Sequence, residues 1–181
     1  MVSRRDLKNA HEEAVLRQFK AYMEASGVSL EILDRPEPPE AIVKLDGEST
    51  WLEITDAFLD KSHAIGLTSY AADDVDHVPD DGRLVLDPDA TFSSVLQGVI
   101  GAKYDKATMQ SLSQSRGPGI LLVGIFTPFT TAEAVAYEEA DSLAKLVAQK
   151  PVQVFSTIYA YEGTGDRTFH VLYRYGDRNS I

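Results

Sequence analysis

The chain has no cysteine among its 181 residues, so it can form neither a disulfide nor a zinc site with thiolate ligands. No apolar run approaches the ~20 residues that a membrane-spanning helix needs. The first residues also lack the apolar segment of a secretion signal. We therefore expect a cytoplasmic protein without a membrane partner. Its length and its 44% of hydrophobic residues predict a single domain over residues 1–181.

Several common functional motifs are missing too. The sequence contains no Gly-x-x-x-x-Gly-Lys phosphate loop and no Gly-x-Ser-x-Gly nucleophile elbow. The Gly163–Asp166 segment precedes a strand pattern, which is typical of a turn and not of a dinucleotide loop. The histidines lack metal-ligand spacing, and we expect surface or structural roles for them: His11, His63, His77 and His170.

Basic residues are scarce: the chain has 17 lysines and arginines but 28 acidic residues, which gives a net charge of −11. Such a surface repels phosphate and disfavours nonspecific binding to nucleic acid. The charge is uneven, however. The Asp73–Asp81 stretch reads as a solvated acidic loop, whereas Arg167, Arg174 and Arg178 have few acids around them. A local basic groove on an acidic body is therefore compatible with the sequence.

A helical pattern runs from about Arg4 to Ala25, and Gly27 is a natural stop. Its apolar face consists of Val15, Leu16, Phe19, Tyr22 and Met23. Glu12 projects into the middle of this face. A carboxylate there is costly to bury unless it is paired or binds a cation, so both a salt bridge and a site role are open for Glu12.

Two strand-like segments, Ala41–Leu45 and Thr50–Thr55, flank an Asp-Gly turn and predict a hairpin. A two-residue turn pairs Ile42 with Trp51 and Glu40 with Glu53. Directly opposed carboxylates repel each other, and a hard divalent cation between them would remove the penalty. The alternative is a pair exposed at the end of the sheet, where hydration screens the repulsion.

The remaining pattern predicts a mixed sheet with helices on its faces, an α/β (α+β) class. Further helices are expected from Asp89 or Thr91, as the cap, to about Ser113, and over Thr131–Gln149 with Thr130 or Thr131 as the cap. Further strands are expected at Val28–Asp34, Ile120–Phe126, Val152–Tyr161 and Thr168–Tyr175. The apolar face of the helix after residue 89 continues as Lys103, Lys106 and Gln110, so one end of this helix carries amines.

This order, with these residues, resembles the PD-(D/E)XK nuclease-like superfamily, whose core order is α-β-β-β-α-β, here followed by a C-terminal helix and two strands. The resemblance covers roughly Glu12 to Phe126. The Pro-Asp of the family matches Pro39-Glu40, and its Glu-x-Lys matches Glu53-Ile54-Thr55. Family members often add a glutamate from the first helix, which matches Glu12, and basic or Gln residues on the helix after the third strand, which match Lys103, Lys106 and Gln110.

The resemblance implies metal-dependent hydrolysis of phosphodiester bonds in nucleic acid, with DNA favoured over RNA. Glu40, Glu53 and the Ile54 carbonyl would hold Mg²⁺ or Mn²⁺, and Glu12 would bind through water or hold a second ion. Thr55 stands where the family has its lysine and could only hydrogen-bond a water. Since this lysine relocates in some members, the amine could come from Lys103, Lys106 or Lys44. Analogy with restriction enzymes also implies a homodimer.

Two other classes of function are open. The Glu40 and Thr55 departures and the charge of −11 favour a protein that keeps this fold, has lost catalysis and acts as a binding or structural module. A weaker alternative is a small molecule or protein bound at the same cleft. A basic concave surface around Glu53 would favour nucleic acid, and an acidic or closed one would favour the last alternative.

Overall fold

The computed structural model describes residues 4–59, 88–163 and 167–176. The described helices are α1 (Arg4–Ala25), α2 (Pro88–Asp105), α3 (Ala107–Arg116), α4 (Ala132–Glu138) and α5 (Ala140–Ala148). The described strands are β1 (Leu30–Asp34), β2 (Ala41–Leu45), β3 (Glu48–Phe58), β4 (Gly119–Phe126), β5 (Phe155–Glu162) and β6 (Phe169–Arg174). All six strands form one mixed sheet in the order β1-β2-β3-β4-β5-β6.

The sheet combines an antiparallel and a parallel part, which confirms the predicted mixed α/β class. β1, β2 and β3 form an antiparallel meander. β3, β4 and β5 run parallel, and β6 returns antiparallel to β5. The crossover from β3 to β4 carries α2 and α3, and the crossover from β4 to β5 carries α4 and α5. The carboxyl ends of three strands therefore meet at one end of the sheet.

Helices cover both faces of the sheet, with a separate core under each. Under α1, Phe19 packs edge-on against the rings of Tyr159 and Phe169. The opposite core holds the buried side chains of α2 to α5, such as Leu96, against Trp51. Because side chains alternate along a strand, β3 contributes to both cores and passes polar groups to both faces.

The hairpin between β2 and β3 has the predicted register. Asp46 and Gly47 have positive φ angles of 46° and 90°, as a two-residue turn requires. Ile42 pairs with Trp51, and the ladder ends at Ala41 opposite Leu52. β3 nevertheless continues to Phe58, with β4 as its neighbour among the described strands. The sheet opens at this step, which is where Glu40 and Glu53 lie.

The helix predicted to reach Ser113 is broken, which corrects the expectation of a continuous stripe. α2 begins at Pro88, before either predicted cap, and Lys106 interrupts the chain with an extended backbone (φ −71°, ψ 118°). Tyr104 and Met109 are both buried. Since 100° per residue would place them about 140° apart on one helix, the break lets both enter the core. The Gln110 side chain donates to the Tyr104 carbonyl.

The helix predicted over Thr131–Gln149 is also two helices, α4 and α5, which meet at Glu139. The Ser142 hydroxyl donates to the carbonyl and the carboxylate of Glu139, and such local bonds compete with helical ones. Thr131 caps α4 as predicted, because its side chain accepts a hydrogen bond from the Ala134 amide. The predicted strands are found, with β1 and β5 beginning later than expected.

Some predictions fall outside the described residues. These are the acidic Asp73–Asp81 loop, most of the turn after Gly163, and the residues His63, His77 and Arg178. Within the described part of the chain, no helix combines the length and the apolar character that crossing a membrane requires.

Candidate functional site

Three glutamates from three different elements lie buried at the point where the sheet opens. Glu12 comes from α1, Glu40 immediately precedes β2, and Glu53 is the residue of β3 after the last β2 pair. Their exposed fractions are 4%, 8% and 2%. We call these three residues the carboxylate centre. The sequence predicted each member, and the fold places all three where their charges interact.

In each glutamate of the carboxylate centre, only one of the two side-chain oxygens lies near a positively charged partner. Glu12 Oε1 lies 2.8 Å from Lys8 Nζ, and Glu53 Oε1 lies 2.5 Å from Lys103 Nζ. Glu40 Oε1 is farther from Lys8 Nζ, at 3.8 Å. The Oε2 atoms of all three glutamates are buried and have no hydrogen-bond partner among the described residues. Unpaired carboxylate oxygens are expensive to bury, so the centre has unused capacity for a positively charged ligand.

The centre also carries excess negative charge. Glu37 joins it from the loop before β2, and oxygens of Glu12, Glu37 and Glu40 lie within 4.8 Å of one another. Lys8 bridges them and lies 3.2 Å from Glu37 Oε1. With Glu53 and Lys103 included, four carboxylates face two ammonium groups, so the surroundings of Glu53 are acidic, which favours a small molecule or protein over nucleic acid unless a cation neutralises them. Oxygen ligands of this kind suit Mg²⁺ and Mn²⁺, so the donor set fits the cation that the resemblance implies.

The crowding perturbs the ionisation of the centre. Burial raises the pKa of Glu40 to about 7, and the negative charge of Glu12 adds to the rise, while Lys8 opposes it. The negative charge of Glu53 also raises the pKa of Glu40. The hydrogen bond to Glu12 raises the pKa of Lys8 above its ordinary value. A carboxyl group that resists ionisation without a cation is expected in a site that binds one.

Among the lysines predicted for the site, Lys103 is the one that reaches the centre. Its Nζ donates to Glu53 Oε1 and, at 3.3 Å, to the Ile54 carbonyl, the two oxygens assigned to the metal by the resemblance.

Lys106 is exposed, and its side chain forms no hydrogen bond or ion pair with a described residue. Thr55 is half-buried without a described side-chain bond, and Lys44 lies exposed near the far end of β2.

A second polar cluster lies beside the centre, and sequence reasoning did not find it. Asp56 of β3 accepts a hydrogen bond from the Tyr161 hydroxyl at 2.8 Å and lies 3.2 Å from His11 Nε2. His11 Nδ1 is 3.4 Å from a terminal nitrogen of Arg167. We call these four residues the histidine network. Since a guanidinium group only donates, Nδ1 accepts and the Nε2 proton points to Asp56.

Gly124 makes the network possible. It pairs with Asp56 on one side and Tyr161 on the other, so both side chains cross the strand between them. A Cβ atom at Gly124 would lie 2.4 Å from Asp56 Oδ1 and 2.8 Å from the Tyr161 hydroxyl. Burial and the neighbouring Asp56 raise the pKa of Tyr161, which keeps its proton on this bond. A lone glycine inside an apolar strand is a known sign of close approach, and this signal could have located the network.

Comparison with protein-family models, with curated proteins and with solved structures gives no match to this chain. The geometry of the site therefore carries the functional argument.

Proposed function

We propose that this protein hydrolyses phosphodiester bonds of nucleic acid with the help of Mg²⁺ or Mn²⁺. The observation that carries the proposal is the carboxylate centre, in which three buried glutamates each keep one oxygen without a partner. The element order supports a restriction-endonuclease-like fold, because an antiparallel meander is followed by a helix and a strand parallel to β3. Glu12 lies on α1, Glu40 directly before β2 and Glu53 on β3, close to where the resemblance expects them.

The residues divide the chemistry between them. Glu40, Glu53 and the Ile54 carbonyl would hold the cation, with Glu12 binding through water or to a second ion. A bound cation lowers the pKa of its water and offsets charge at the transition state. Lys103 approaches this point from α2, where its amine can orient the attacking water and stabilise the negative phosphate. Thr55 carries no charge and therefore cannot replace the Lys103 amine.

A second candidate function is an inactive protein of the same fold that serves as a binding or structural module. One observation favours it: the Lys103 amine already contacts Glu53 and the Ile54 carbonyl, as a cation there would. An amine fixed in that position would neutralise Glu53 permanently and exclude the metal. The two candidates differ in whether the amine yields to a divalent ion.

The test is calorimetric titration of Mn²⁺ and Mg²⁺ into the wild type, with and without a DNA oligonucleotide that supplies phosphate. We expect saturable binding that Glu53→Gln weakens by on the order of 100-fold, since loss of a direct ligand should cost at least as much as loss of an outer partner. The matched control is Glu48→Gln, an exposed glutamate on the same strand.

Cleavage of DNA and RNA oligonucleotides by the same three proteins then separates the two candidates. Metal binding together with cleavage that disappears in Glu53→Gln supports hydrolysis. The oligonucleotide that is cleaved faster shows whether DNA or RNA is the preferred substrate. Metal binding without cleavage of either polymer favours the binding module. No binding by the wild type at millimolar metal, with DNA present, contradicts the metal site itself. Sedimentation in the same buffers tests the proposed homodimer.

A further inference from the structure

A pocket of about 490 Å³ lies between the second half of α1 and β6, the last strand of the sheet. Its walls include Gln18 and Tyr22 from α1, and Arg167, Thr168 and His170 from the β6 side. The Tyr22 ring is half-buried, while the Thr168 hydroxyl lies 3.2 Å from His170 Nε2. The pocket thus combines an aromatic wall with several hydrogen-bonding groups and a cation.

Arg167 is the most unusual of these groups. Its two terminal nitrogens reach Gln18 Oε1 at 2.8 Å and His11 Nδ1 at 3.4 Å, and neither partner is a carboxylate. It forms no ion pair with a carboxylate of the described residues, and its Nε is buried without a partner. A guanidinium group that is held in place by two hydrogen bonds and forms no direct ion pair with a described carboxylate is suited to a phosphate.

The position of the pocket connects it to the carboxylate centre. His11, which contacts Arg167, directly precedes Glu12 on α1. Gln18, which also contacts Arg167, follows Glu12 by six residues, or about 9 Å along the helix axis. Since phosphates of a stacked strand are spaced by about 3.4 Å along its axis, this distance corresponds to roughly two or three nucleotides. One strand could therefore occupy both places.

We propose that this pocket binds a phosphate of the nucleic acid strand, a few nucleotides from the bond at the carboxylate centre, with Arg167 as its ligand. The inference rests on the proposed function and names where its substrate is held. It also explains how a chain with a net charge of −11 could hold a polyanion: the contact is made by one arginine that forms no direct ion pair with a described carboxylate, and not by a basic surface. Tyr22 offers a face against which an adjacent base can stack.

The test is fluorescence anisotropy of a short labelled single-stranded DNA at several salt concentrations, with EDTA present so that no metal contributes. We expect Arg167→Gln to weaken binding about tenfold and to reduce the salt slope by about one phosphate contact. Arg116→Gln is the matched control, because it removes the same charge from an exposed position at the end of α3. Arg167→Lys should keep the salt slope while losing part of the affinity.

Three results would overturn the inference: no binding by the wild type, equal losses in Arg167→Gln and Arg116→Gln, or full affinity in Arg167→Gln. Thermal unfolding of each variant verifies that the variant is folded. If Arg167→Gln does not fold, the binding of Arg167→Lys still tests the inference. Glu48→Gln, which lies outside both the centre and the pocket, should bind the strand like the wild type in EDTA. Binding that depends on Arg167 in a protein that takes up no Mn²⁺ would refute hydrolysis and leave the phosphate pocket intact.

Discussion

The carboxylate centre and the histidine network lie next to each other but satisfy their polar atoms differently. They share α1 and β3, since His11 precedes Glu12 and Asp56 follows Glu53 by three residues. In the network, both oxygens of Asp56 and both nitrogens of His11 have partners, and the one buried polar atom left without a partner in these four residues is the Nε of Arg167. In the centre, every glutamate retains a buried oxygen without one.

Their charges differ in the same way. The network sets one aspartate against one arginine, whereas the centre with Glu37 has four carboxylates and two lysines. A balanced and bonded cluster joins α1, β3, β5 and the start of β6, so its main effect is on stability. An unbalanced cluster weakens the fold until a cation arrives. The comparison therefore predicts that substitutions in the two clusters have opposite consequences.

The largest expected effect concerns Lys103, which would connect the centre to the proposed hydrolysis. Lys103→Met should lower the rate of oligonucleotide cleavage by about 100-fold or more, because a positioned charge near the phosphate is removed. It should also raise the affinity for Mn²⁺, since the amine no longer competes for Glu53 Oε1 and the Ile54 carbonyl. Single-turnover kinetics and calorimetry measure the two changes.

Lys106→Met is the control for this experiment. Lys106 is exposed and lies three residues away at the helix break, so both quantities should stay at wild-type values. A loss of Mn²⁺ affinity in Lys103→Met would show that the amine supports the metal site and does not compete with it. Equal losses of cleavage in both variants would contradict the assignment of Lys103.

The next effect tests the network through Gly124. Gly124→Ala should reduce the free energy of unfolding by about 2 kcal/mol, because the new methyl group would overlap Asp56 and Tyr161. Urea unfolding followed by circular dichroism measures the change. Mn²⁺ affinity should stay the same, which is the reverse of the result expected for Glu53→Gln.

Gly98→Ala provides the matched substitution. Gly98 lies within α2, and a Cβ atom there would meet no atom within 4 Å. The alanine should stabilise the protein by up to about 1 kcal/mol through its helix propensity. If Gly124→Ala is as stable as the wild type, the Asp56–Tyr161 hydrogen bond does not hold these strands together.

Local patterns in the sequence predicted much of this fold. The Asp46-Gly47 turn defined the hairpin register, whose last pair, Ala41 with Leu52, leaves Glu40 and Glu53 one residue beyond the ladder. The apolar stripe of α1 likewise indicated that Glu12 is buried. These predictions succeeded because each depends on residues a few positions apart, where turn geometry and helical periodicity decide the outcome.

Features that depend on distant residues were not predicted. No glycine or proline marks the helix break at Lys106, which arises because Tyr104 and Met109 both enter the core. The partners of His11 are 45 and 150 residues away, at Asp56 and Tyr161. Hydrogen bonds between residues so far apart in the sequence depend on the order of the strands in the sheet. The periodicity of a single helix or strand carries no information about that order.

The smallest expected effect uses pH to separate the two clusters. The pKa of Glu40 is about 7 in the folded protein against an ordinary 4.5, so folding favours its protonated form. Without metal, this contribution to stability is complete below pH 4.5 and disappears as the pH rises to about 7. Scanning calorimetry of both proteins between about pH 4 and pH 8 should therefore show a fall in Tm for the wild type that Glu40→Gln lacks.

The proposed metal should reverse this dependence, because it would bind the ionised form of Glu40. In the wild type, the increase in Tm produced by Mn²⁺ should grow as the pH rises through about 7, and Glu40→Gln should reduce that growth. Glu31→Gln, at an exposed position of β1, should behave like the wild type in both respects. Parallel pH profiles for the wild type and Glu40→Gln would mean that Glu40 ionises without cost. The contrast between a strained carboxylate centre and a balanced histidine network would then lose its physical basis.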